Sequence, residues 1–303
     1  MLQPSFFIVG APKCGTTALF KYLIRHPEIF GPPRKEMNFF NTDLNKRRKA
    51  NSLEEYLACF EEGKGKVCGE GSPSYLYSKD APKNIYNFNP DAKIIIILRE
   101  PVSMMYAYHA QHLSNGSSET VQSFEEALNL ESVRKKGQEI PPRCREPQIL
   151  YYRDFASYAD QVKRYLETFK AEQVKIIIFD DFKSDTQQVF QEVLEFLGVD
   201  PTYKTTLGPR NRNTRVRNTF LQTLIKYPPS KVLELGKYFF PIPQAQRRAF
   251  LEYVKSKLKK MNTERAPRPP LDPQLRNRLV QEFKPEIKRL ETVINRDLSM
   301  WYS

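Results

Sequence analysis

Apolar and polar positions along the chain fall into two kinds of block. Ser5–Gly10 (SFFIVG), Lys93–Leu98 (KIIIIL) and Val174–Phe179 (VKIIIF) are short, nearly unbroken apolar runs. Runs rich in β-branched residues without alternation predict strands covered on both faces. Lys66–Glu70 is a further strand candidate. Between the runs lie stretches of helical spacing: Thr17–Arg25, Ala81–Phe88, Val102–Leu113, Ser123–Lys135, Asp154–Phe169 and Thr186–Leu197. The first places Leu19, Tyr22 and Leu23 on one face and stops at His26-Pro27; the last stops at Gly198. Strands separated by helices predict an α/β fold with a doubly wound parallel sheet, its ligand lying beyond the carboxyl ends of the strands. Past Pro209 no strand run recurs, and a mainly helical C-terminal extension is expected, jointed at Pro228-Pro229, Pro241–Pro243 and Pro267–Pro270. The chain reads as one domain over 1–303: an α/β core over 1–200, a basic loop over 201–217 and a helical extension over 218–303.

Composition narrows the partner. An apolar fraction of 40% over 303 residues is enough for a sizeable core and excludes a disordered or fibrous chain. No run reaches the roughly 18 apolar residues of a membrane-spanning helix, and MLQPSFFIVGAPKCG lacks the basic start of a signal peptide. A cytoplasmic location is therefore expected. The four cysteines have no metal-site or disulfide spacing. The net charge of +13 calls for an anionic partner: a nucleic acid, a membrane surface or a small polyanion.

Gly10–Thr17 (GAPKCGTT) lies between the first strand and the first helix. A helix N-terminus offers unpaired N–H groups at the positive end of its dipole and suits a phosphate or sulfate. Gly15 lets the backbone approach the anion, while Thr16 and Thr17 add hydroxyl donors. A P-loop kinase would place lysine directly after the second glycine; here Thr16 stands there and the lysine is Lys13, inside the loop.

The order strand–PKCGTT–helix, RKEMNFF, GEGSPSYL, IIIILREPVSMMYAYH resembles the sulfotransferases that use 3′-phosphoadenosine-5′-phosphosulfate (PAPS). It is most similar to the carbohydrate branch, with the heparan sulfate glucosaminyl N- and 3-O-sulfotransferases and their bacterial relatives. The similarity runs from about Phe6 to Phe196 and more weakly to the C-terminus. It implies a P-loop-like sulfotransferase sheet and an enzyme that needs no metal, leaving adenosine 3′,5′-bisphosphate as product. Under the resemblance Lys13, Cys14, Gly15, Thr16 and Thr17 cradle the 5′-phosphosulfate, with Lys13 also countering charge on the leaving oxygen. Arg99 grips the 3′-phosphate, as a bidentate guanidinium suits. The family's second 3′-phosphate ligand, a serine eight residues later, is here Ala107. Arg212, Asn213, Arg215 and Arg217 resemble the late basic loop that closes over the nucleotide.

On the acceptor side Glu36 matches the general base, which a hydroxyl or amine nucleophile requires. Lys35 matches a basic neighbour of the phosphosulfate. Relatives carry a lysine where Gly71 stands. Glu70 is a second carboxylate candidate, and His109 and Tyr158 are candidates for the acceptor cleft; His109 and His112 have the spacing of a metal pair but no third ligand. The acceptor is expected to be a saccharide or small metabolite, an anionic one included, in a pocket built by loops Asn41–Asn51 and Asn115–Arg145 and parts of the tail. A P-loop nucleotide or metabolite kinase is the alternative. Nucleic-acid binding rests on charge alone, with no reading motif visible. Gln244–Met261 pairs an apolar stripe with a basic face, which packs on its own domain or lies on an anionic membrane.

Overall fold

The structure is a computed structural model that describes residues 3–33, 35–44, 48–115, 118–208, 214–216, 224, 250, 253–258, 261–265 and 268–302. Five parallel strands form one sheet in the order β2-β3-β1-β4-β5: β1 (Phe6–Gly10), β2 (Ile29–Phe30), β3 (Val67–Gly71), β4 (Lys93–Leu98) and β5 (Val174–Ile178). Every residue of β1, and every residue of β4 after Lys93, is buried, as their unalternating composition requires. Phe6 pairs with Gly69 on one side and Lys93 on the other, so β1 sits at the point where the chain reverses its direction of travel across the sheet. A crevice opens there beyond the carboxyl ends.

Helices α1 (Thr16–Leu23), α2 (Leu53–Ala58), α3 (Ala81–Phe88) and α4 (Pro101–Asn115) follow the first strands. The expected helix over Ser123–Lys135 is two: α5 (Phe124–Asn129), N-capped by Ser123, and α6 (Glu131–Lys135), with a turn at Leu130. The stretch Asp154–Phe169 is likewise broken at Ser157 into α7 (Tyr152–Ala156) and α8 (Tyr158–Thr168). Gln161 stabilises that break by donating at 2.7 Å to the Asp154 carbonyl, which also accepts from the Ser157 N–H at 3.3 Å. β5 ends one residue early because Phe179 opens α9 (Phe179–Ser184), which leads into α10 (Thr186–Leu197) and its left-handed cap Gly198.

The C-terminal region is not purely helical. Thr214–Val216 (β6) and Thr263–Arg265 (β7) pair antiparallel, so the expected absence of strands beyond Pro209 is corrected; segments of three residues are too short to register as runs. The pair also joins the expected basic loop to the expected extension. Of Gln244–Met261 the described residues are 250, 253–258 and 261, helical at all of them. The 22-residue α11 (Pro273–Ile294), N-capped by Asp272, buries Leu275, Leu279, Phe283, Ile287 and Leu290 along one stripe. It packs on α8 and α4, and its Glu286 accepts from the Ala159 N–H at 2.8 Å, capping the first turn of α8. Among the described residues no helix is long and apolar enough to cross a membrane, and no group of three His, Cys, Asp or Glu side chains could hold a metal ion.

Candidate functional site

A cleft of about 720 Å³ lies over the carboxyl ends of the strands. Pro12 and Lys13 reach it after β1, Glu36 after β2, Pro73 and Ser74 after β3, Arg99 after β4 and Phe179 after β5. The sheet thus delivers one group per strand to the same opening.

The loop after β1 turns sharply at two left-handed residues, Lys13 (φ 63) and Gly15 (φ 91). Glycine is required at the second: a Cβ there would stand 3.2 Å from Phe182 and 3.3 Å from Phe179. Gly15 caps α1 without a side-chain hydrogen bond, so Gly15, Thr16, Thr17 and Ala18 line the cleft at the positive end of the helix. Cys14 lies in this turn, but its side chain points away from the opening. It is fully buried and donates to the Pro12 carbonyl at 3.3 Å, and burial pushes its thiol up to about 12. Only its backbone can serve an anion.

Lys13 Nζ donates to Gln111 Oε1 at 2.8 Å. Its pKa is lowered by burial and then by the charges of Arg268 and Arg99. Arg99 donates to the Lys13 carbonyl at 3.4 Å and lies 4.9 Å from the Phe179 ring centroid. Among the described residues neither Lys13 nor Arg99 has a carboxylate within ion-pair distance. Several cations therefore share one poorly solvated cleft, an arrangement that favours an anion of high charge.

Lys35 approaches α1 from the side of β3. Its Nζ donates to Thr17 Oγ1 at 2.8 Å and sits 3.4 Å from Thr16 Oγ1. Burial lowers its pKa to about 8, against the opposing pull of Glu36. A Cβ at Gly71 would fall 2.9 Å from Lys35 Cε, so the bare glycine is what admits the lysine stem. Glu36 is exposed at the cleft, held in a left-handed turn (φ 63) whose N–H donates to the Gly71 carbonyl at 3.2 Å.

Three expected acceptor residues lie elsewhere. Glu70 is 1% exposed and accepts from Tyr56 Oη at 2.6 Å and Ser72 Oγ at 2.5 Å. Ser72 Oγ in turn accepts from the Asn38 N–H at 3.2 Å, so Glu70 anchors the loop that carries Glu36 instead of meeting an acceptor. His109 is buried behind the cleft, where a ring nitrogen lies 2.9 Å from the Val121 carbonyl; His112, one turn on, is the histidine that lines the opening. Tyr158 is a core residue packed behind the loop near Cys14, 1% exposed and absent from the cleft wall. Burial decides all three, and it is invisible in a local motif. Arg212, Asn213 and Arg217 lie outside the described residues; Arg215 lies on β6.

Other cleft residues were not among the expected site residues: Tyr108, Gln111, Asn115, Ser118, Arg143, Arg145 and Arg268. Those from 115 to 145 fall within the expected acceptor loop. Its base is a buried pair in which Arg134 donates twice to Glu119, at 2.7 and 2.8 Å, and Tyr152 donates once, at 2.7 Å.

A family model for the sulfotransferase domain matches residues 3–237. The mouse bifunctional heparan sulfate N-deacetylase/N-sulfotransferase 4 is 33% identical over 215 residues, covering 66% of this chain. The chain spans 23% of that protein's length. Mouse heparan sulfate glucosamine 3-O-sulfotransferase 5 is 28% identical over 202 residues, 65% of this chain and 54% of that protein. A solved sulfotransferase from Alicyclobacillus acidocaldarius superposes over 100% of both chains with a TM-score of 0.72 and 31% identity. With its sheet, its opening loop and most of its length matched in this way, the chain belongs to the sulfotransferase family.

Proposed function

We propose that the protein transfers a sulfuryl group from PAPS to a hydroxyl or amine of a carbohydrate or small-metabolite acceptor. The observation that carries this reading is the convergence of Lys13, Arg99 and the uncapped N-terminus of α1 on one cleft that also holds the exposed carboxylate of Glu36. The residues present fit a compact nucleotide polyanion. Gly15, Thr16, Thr17, Lys13 and Lys35 would hold its 5′ end and Arg99 its 3′-phosphate, while the resemblance alone gives the basic stretch 212–217 a part in closing over it. When bound, the nucleotide supplies an activated sulfuryl group on a phosphate leaving group.

The chain's own groups account for the rest. Glu36 takes the proton from the acceptor hydroxyl or amine as it attacks, since the neutral group is a weak nucleophile. Lys13 and the helix dipole stabilise negative charge that develops on the departing oxygen during in-line displacement. Lys35 adds a second cation at the first turn of α1, from the space that Gly71 leaves open. Arg143 and Arg145 give the outer lip of the cleft a basic character that suits an anionic acceptor. The kinase reading gains nothing: Thr16 occupies the position where it needs a lysine, and the matched domain is that of a sulfotransferase.

Thermal unfolding tests the assignment. Adenosine 3′,5′-bisphosphate at a hundredfold excess over Kd stabilises the fold by roughly 2.7 kcal/mol through linkage, while ATP with magnesium does far less. The reverse ranking overturns the proposal. Glu36→Gln is expected to lower turnover by roughly 10²-fold or more with nucleotide affinity unchanged. Wild-type turnover in that variant removes Glu36 as base.

A further inference from the structure

Ala107 presents only a methyl group to the cleft, one residue beyond Tyr106 on α4. Arg268, from the segment between β7 and α11, lines the same cleft. Its guanidinium carbon lies 5.1 Å from the Tyr106 ring centroid, a stacking distance that keeps the planar group over the ring. The Tyr106 hydroxyl donates to the Pro269 carbonyl at 3.1 Å, fixing the backbone beside the arginine. Pro269-Pro270 stiffens the next step. Asp272 then caps α11, whose Arg276 pairs with Glu100 at 3.3 Å. Glu100 itself accepts from the N–H groups of Val102 and Ser103 at the start of α4. The segment is therefore tied at both ends to the helix that directly follows Arg99.

The electrostatics agree with this geometry. Arg268 is lowered by burial and then by the charge of Arg99, and its own charge is the second cause of the lowered Lys13. The two guanidiniums thus sense each other within the cleft that both of them line.

We propose that Arg268 is the second ligand of the 3′-phosphate, taking with Arg99 the place that the family gives to the serine missing at Ala107. The proposal rests on the PAPS reading above and goes beyond it. It makes the connection into the C-terminal helix part of the nucleotide site, through a residue 169 positions from Arg99. Two guanidiniums form a wider set of charge-assisted bonds to a phosphate dianion than one guanidinium and a hydroxyl.

The test compares adenosine 3′,5′-bisphosphate with adenosine 5′-monophosphate, which lacks only the 3′-phosphate, by calorimetry on the whole chain. Wild type is expected to prefer the bisphosphate. Arg268→Ala and Arg268→Gln are expected to cut that preference about tenfold or more, leaving monophosphate affinity nearly unchanged. Glutamine retains a stem over Tyr106, so it separates charge from packing. If wild type shows the preference and both variants retain it in full, the assignment of Arg268 is overturned. If wild type shows no preference between the nucleotides, the PAPS reading itself falls.

Discussion

Lys35 offers the sharpest quantitative test of the site. With its pKa at about 8, half of the free protein's Lys35 side chains are neutral at pH 8. A polyanion bound at Thr16 and Thr17 favours the ammonium and returns the group toward its ordinary value of 10.5. Binding should therefore take up about half a proton at pH 8 and only about a hundredth of one at pH 6. Nucleotide affinity should fall as pH rises above 8, by at most about tenfold per unit from this group. The ligand-free fold behaves oppositely: a lysine with lowered pKa costs stability below pH 8, and that cost fades as pH climbs toward 10.5. Calorimetry with adenosine 3′,5′-bisphosphate in two buffers of different ionisation heat, Tris and HEPES at pH 8 and Bis-Tris and MES at pH 6, reads the proton count. Lys13 is lowered in the same direction, so the decisive quantity is wild type minus Lys35→Met. A difference of zero at pH 8, or a net release, would falsify the placement of Lys35 beside the bound anion.

Two further outcomes follow from the packing. Gly15→Ala places a Cβ at φ 91 against Phe182 and Phe179, so it should lower stability by about 1–3 kcal/mol and abolish nucleotide-dependent stabilisation; a melt with and without nucleotide checks both. Arg134→Met leaves Glu119 buried without its partner and should cost about 3–5 kcal/mol in urea unfolding at pH 8. In wild type, burial pushes Glu119 up, but Arg134 and hydrogen bonds from Val121 and Tyr152 outweigh it and hold the carboxyl low. That stability is present above the ordinary carboxylate range and is lost as pH falls through the lowered value. In the variant the carboxyl rises instead, so the gap between the two proteins should narrow from pH 8 to pH 5. A gap that widens refutes this account.

Much of the fold was legible because its central strands are unambiguous. Lys93–Leu98, Ala81–Phe88 and Thr186–Leu197 appear with the boundaries their patterns predict. The two-residue β2 and the β6–β7 pair are too short to produce a period, and the breaks at Leu130 and Ser157 are held by tertiary and capping hydrogen bonds. At the site, Lys13, Gly15, Thr16, Thr17, Glu36 and Arg99 do share the cleft, because each follows the end of a strand. Glu70, one residue before the end of β3, faces the opposite way and becomes a buried anchor. Arg268 is reached only through the chain's long return from α10, which no local spacing encodes.

The bare backbone at Gly71 bears on how such proteins are compared. Aligned column by column, the chain lacks a lysine that its relatives are expected to carry. In space, the stem of Lys35 fills that volume from 36 positions upstream and brings an ammonium to the same helix turn. A side chain at 71 would meet Lys35 Cε, so the far end of the lysine would have to shift to admit it. The first turn of α1 thus keeps one of the two ammonium groups that the resemblance places there, and the lysine that remains has the room of both.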